Sequence, residues 1–188
     1  MSPAGPLPRG SHRSAQHEGT LMSAAPGRPK PARTAARQGE GTLSSGKITD
    51  IAALLRDKLT EGRFQHFMGL ELLDYDATTG AVGLRAPWRA EFERGPGTLQ
   101  WHGGPMAALI DIAGDFALIA KLGRGIPTID LRIDYLRPAV DTDLVARART
   151  LRAGRSIGVV DIELLDRHSR LVAVGRGGYS TLHKDNQA

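Results

Sequence analysis

The chain has 188 residues, room for one domain, and its formal net charge of +5 lies at one end: residues 1–47 hold seven Lys/Arg against two Asp/Glu, while 48–188 hold eighteen of each. The pI near 10 therefore belongs to a tail and gives no warrant for a nucleic-acid face on the folded part. The absence of cysteine removes disulfides, thiolate nucleophiles and Cys-ligated zinc, the histidines show no paired ligand spacing, and no apolar run reaches the roughly 18–20 residues of a membrane span; a cytoplasmic protein without metal, cofactor, nucleic-acid partner or membrane partner is expected.

Residues 1–47 carry six of the eleven prolines and no apolar periodicity, so they read as a disordered basic Pro/Ala/Arg-rich tail that cannot offset its ordering entropy. Within it Pro8-Arg-Gly-Ser-His12 looks like the remnant of a cleaved tag, and Met22 is an alternative start. The domain is expected over 48–183. Thr49 or Asp50 can cap a helix in which Ile51, Leu54, Leu55 and Leu59 recur at helical spacing. Strands over 69–76 and 81–86 follow, joined by the Ala77-Thr-Thr-Gly80 turn. A Gly/Pro-rich loop then leads into His102-Gly-Gly-Pro105 and a long apolar helix over 105–122, ended by Gly123-Arg-Gly125. Four more strands are expected over 127–136, 144–151, 157–165 and 171–182; strict alternation in 129–135 predicts one buried and one wet face, and the turns predict consecutive antiparallel pairing. One helix that is apolar on nearly every side, with about six antiparallel strands, specifies an α+β class in which a curved sheet wraps the helix, the hotdog fold.

Asp111 stands alone in the apolar run 105–120, where an uncompensated charge is costly and usually marks a site of chemistry. Nine residues earlier, His102-Gly103-Gly104 opens the helix, and the unpaired N–H groups and positive dipole end there suit the oxyanion formed when a thioester is attacked. Asp111 lies about two turns along the same helix, too far to act at that carbonyl, so a two-fold-related subunit is its natural source. It can serve as general base or as nucleophile. Asp115 falls on a similar face and competes for the role; Asp111 could also be a buried acid satisfied by neighbouring donors, and His102 a turn histidine bonded locally. Gly154-Arg-Ser-Ile-Gly158 matches a nucleophile elbow but precedes a strand pattern, and the Gly-x4-Gly-Lys match at 41–47 lacks both its Ser/Thr and a preceding strand.

His102-Gly-Gly, Asp111, the segment from Thr128-Ile-Asp-Leu-Arg to Leu136-Arg-Pro-Ala139, Gly154-Arg155 and Leu171-Val-Ala-Val-Gly-Arg together resemble the PaaI-like acyl-CoA thioesterases of the hotdog superfamily. The resemblance implies a homodimer or dimer of dimers with active sites at the dimer interface. It implies that Gly103 offers its N–H to the thioester carbonyl, His102 shapes the turn, Asp111 comes from the partner subunit, and Thr128 helps hold the attacking water. Arg137 and Arg155 stand at turns where the family often places basic residues, here for CoA phosphates, and Pro96 stands where members often carry Asn. The expected reaction is acyl-CoA plus water giving a carboxylic acid plus CoA, in a metal-independent site whose acyl cleft is lined by Met106, Phe116 and Tyr135. Two alternatives belong to other classes: a non-catalytic acyl-CoA binder, which has no need of Asp111, and a hydratase or dehydratase, which places its His and acid differently.

Overall fold

The computed structural model describes residues 50–182; the tail 1–47, its tag-like and Gly-x4-Gly-Lys motifs, and residue 183 lie outside the described residues. Asp50 opens the folded part by accepting from the Ala53 N–H at 3.1 Å, which caps α1 (Ile51–Glu61) and sets Leu55 and Leu59 into the core. A second short helix, α2 (Arg63–Met68), follows Gly62. Six residues with Met68 alone buried carry too little periodicity to announce it, so it was not expected.

The strands are β1 (Glu71–Asp76), β2 (Ala81–Ala86), β3 (Thr128–Tyr135), β4 (Leu144–Ala153), β5 (Ile157–Asp166) and β6 (Leu171–Ser180), and a 3₁₀ turn spans Ala90–Phe92. They form one antiparallel sheet in the order β1-β2-β4-β5-β6-β3. Pairing is consecutive along β4-β5-β6, as expected, but β3 does not join β4. Both edges of β4 are taken, by β2 and β5, so β3 takes the free edge of β6. The expectation of consecutive pairing fails there.

The central helix α3 (Gly103–Leu122) begins two residues before Pro105 and ends at Gly123, whose φ of 69° is the left-handed cap that favours glycine. Leu109, Ile110, Ala113, Phe116, Ala117 and Leu118 are all buried, as are Leu84, Ala146, Ala148, Val160, Ile162 and Leu164 of the sheet. One long helix held by a six-stranded antiparallel sheet is the α+β hotdog arrangement expected. The alternation in β3 buries less than expected. Leu131 and Ile133 are half-buried, but Ile129 and Tyr135 are 57% and 52% exposed, because an edge strand has cover on one side only. Among the described residues no helix is long and apolar enough to cross a membrane.

Candidate active site

His102 is the N-cap of α3. Its extended backbone (φ −72°, ψ 146°) turns the chain into the helix, and its Nδ1 accepts from the Gly104 N–H at 2.9 Å, which requires its own proton to sit on Nε2. The histidine is thus committed to shaping the turn. As the first helical residue, Gly103 has an N–H with no intrahelical acceptor, and the helix dipole adds positive potential at the same point. The approach to this turn is anchored in the core: the His102 N–H donates to Phe92 O at 2.8 Å, the Trp101 N–H to Ala139 O at 2.9 Å, and the buried Trp101 Nε1–H to Thr142 O at 2.7 Å. Tyr135, at the far end of β3, donates its hydroxyl to Gly103 O at 2.8 Å.

Asp111 is half-buried and is met by a donor from β3: the Thr128 hydroxyl gives a hydrogen bond of 2.8 Å to Asp111 Oδ1. One carboxylate oxygen is thereby fixed, while Oδ2 and the lone pairs of the Thr128 hydroxyl are left for a water. Asp115, the competitor, is also half-buried and points elsewhere in its bonding, accepting from the Ile126 N–H at 3.2 Å in the α3–β3 connection. Burial pushes its carboxyl up to about 7 against the lowering influence of that hydrogen bond and of Lys58, and the charge of Asp111 adds to the rise. The buried Tyr179 donates its hydroxyl to the backbone carbonyl of Asp111 at 3.2 Å.

Residues 100–173, a stretch that contains His102, Gly103, Asp111, Asp115, Thr128 and Tyr135, match the thioesterase superfamily. A Halobacterium salinarum protein provisionally named an esterase is 35% identical over 147 residues, covering 72% of this chain and 95% of that protein. The chain belongs to the thioesterase superfamily. Thioester hydrolysis is the chemistry that this membership carries. A second relative, the medium/long-chain acyl-CoA thioesterase YigI of Salmonella typhimurium, is 30% identical over 94 residues, 42% of this chain and 60% of that protein. Among solved structures, a thioesterase-superfamily protein superposes with TM-score 0.65 at 30% identity, covering 69% of this chain and 97% of its own. The PaaI protein of Escherichia coli superposes with TM-score 0.63 at 24% identity, over 73% and 97%, a likeness of fold.

Within this superfamily member the residues singled out in the sequence fall into two groups on one chain, Gly103 with His102 and Tyr135, and Asp111 with Thr128. Gly103 and Arg137 line one groove of about 360 Å³ together with Arg94, Gln100, Met106 and Leu136. Arg155 is apart from it, in a separate cavity with Arg152 at the β4–β5 hairpin. Of the expected cleft residues, Met106 lines the Gly103 groove, Phe116 is sealed in the core, and Tyr135 caps the groove through its bond to Gly103. Pro96 is exposed in a small turn where the Thr98 N–H returns to Gly95 O at 3.1 Å, and the groove takes its polar lining from Arg94 and Gln100 instead. Arg94 and Gln100 lie in the irregular loop before His102, where no periodicity tells which side chains face the groove, and Tyr179 reaches the site only through long-range packing. Among the described residues no group of three or more His, Asp or Glu is arranged to hold a metal.

Proposed function

We propose that the chain is an acyl-CoA thioesterase whose domain, residues 48–183, works as a homodimer with each active site shared between two copies. The observation that carries this reading is the placement of both half-sites at opposite ends of one exposed edge strand: Thr128 holds Asp111 at the start of β3, and Tyr135 holds Gly103 at its end. On one chain the two half-sites are eight helical residues apart, about 12 Å. A second copy laid antiparallel along β3 satisfies the open edge and sets Asp111 of the partner subunit against Gly103. The β4–β5 hairpin lies at the Thr128 end of the sheet, through the Gly158–Tyr179–Thr128 register. The same two-fold pairing therefore draws Arg155 of the partner subunit toward the Arg137 groove, where both can meet the phosphates of one CoA.

In the proposed reaction the thioester oxygen rests on the Gly103 N–H, and ionised Asp111 takes a proton from a water held by Thr128 as the water oxygen bonds to the carbonyl carbon. The resulting oxyanion is stabilised by the same N–H and dipole. Its collapse breaks the C–S bond, and the proton on Asp111 passes to the departing CoA thiolate, leaving a carboxylic acid and CoA. The acyl-CoA activity named for YigI supports CoA thioesters as the substrate class.

Release of free CoA from a panel of acyl-CoAs tests the proposal. The wild type should hydrolyse at least one member, Asp111→Asn should lose about 10²- to 10⁴-fold in kcat, and Asp115→Asn should retain most activity. Binding without hydrolysis would end the enzyme reading, and loss confined to Asp115→Asn would transfer the base to that residue.

A further inference from the structure

The proposed chemistry makes no use of Tyr179, a fully buried phenol beside it. Tyr179 and Thr128 are cross-strand partners in the β3–β6 ladder. From this single rung Asp111 is held twice: Thr128 donates to its carboxylate at 2.8 Å, and Tyr179 donates to its backbone carbonyl at 3.2 Å. Gly114, on the next helical turn, is bare where the phenol lies, and a β-carbon there would collide with the Tyr179 hydroxyl. A glycine inside a helix weakens it relative to alanine, so the seat for the hydroxyl is maintained against local helix preference. Burial and the carboxylates of Asp111, Asp115 and Asp130 push the phenol above its ordinary range, so it stays a neutral donor throughout the neutral pH region.

We infer that Tyr179 is a positioning residue for hydrolysis: it fixes the Asp111 turn of α3 against the β3–β6 pair, so that the Asp111 carboxylate and the Thr128 hydroxyl keep one geometry before the water. The inference rests on Asp111 being the base. Misplacing a reacting group by about 1 Å can cost on the order of 10²-fold, and loss of one of the two tethers should cost part of that.

The test is Tyr179→Phe in the full chain, which keeps the ring and removes only the donor, with Gly114→Ala as a second variant that displaces the same hydroxyl. Both should lower kcat on a hydrolysed acyl-CoA by about 10-fold with KM within about twofold, while Tm falls by only about 2–6 °C. Carbon NMR should show the Asp111 carboxyl and Thr128 methyl resonances moved in both variants. A merely structural tyrosine would lower Tm and leave kcat per folded molecule and both resonances unchanged, which would overturn the inference. Failure of the thioesterase reading looks different: the wild type then releases no CoA, and the resonances alone decide whether Tyr179 sets the Asp111 turn.

Discussion

Asp115 holds the Ile126 N–H from a half-buried position, and burial raises its carboxyl to about 7. The fold therefore favours the protonated acid, and the direction of the pH dependence follows: the stabilisation is present at low pH and is lost as pH rises from the ordinary carboxylate range through about 7. Asp115→Asn keeps an acceptor for Ile126 and removes the titration. Urea unfolding of both proteins at about pH 5 and about pH 8 should show the wild type losing on the order of 1–3 kcal/mol relative to the variant over that interval; parallel pH profiles would contradict this. The contrast between the two helix carboxylates shows what was legible at this scale. A charge in an apolar run and a glycine turn nine residues before it are local signals, so Asp111, His102 and Gly103 stand out in the sequence. Tyr179 contacts Asp111 across 68 residues and reads as an ordinary strand aromatic. Nothing near it in the chain announces the bond.

Periodicity identified the central helix and the six strands but neither the short α2 nor the order of the strands. The central helix and the strands leave hydrophobic patterns of 3.6 and 2 residues, whereas the neighbour of β3 is decided by which edge remains free after β2, β4, β5 and β6 have paired. That competition is non-local, and it is what puts the apolar residues of β3 at the rim. Ile129, 57% exposed at the head of this strand, is the position at which pairing of two copies can be disturbed without opening the core. Ile129→Lys should yield a folded monomer by sedimentation, with Tm within a few degrees of the wild-type subunit, and should lose acyl-CoA hydrolysis together with the dimer. A variant that stays active as a monomer would show that one chain contains a whole site. In the proposed pairing the lysine stands against the Tyr135 end of the partner's β3, and the cost of taking its charge out of water in the seam makes the substitution informative.

At the scale of the whole molecule, the domain is neutral over 48–188 while the tail carries the +5, so association along β3 meets no large net repulsion. The hotdog core positions the two proposed half-sites rigidly but at opposite ends of one edge, and in the proposed dimer symmetry joins them. This arrangement can be tested by mixing two inactive proteins. Gly103→Pro removes the N–H at a helix position that accepts proline, after a residue whose ψ of 146° already suits it; Asp111→Asn removes the base and keeps the Thr128 bond. Each homodimer should be inactive. In a mixed dimer, Gly103 of the Asp111→Asn chain meets Asp111 of the Gly103→Pro chain, so one of the two sites is intact. Equal co-assembly should therefore restore about a quarter of wild-type CoA release, from random pairing of two subunit types in a two-fold dimer. Co-assembled dimers with no recovered activity would contradict the shared site.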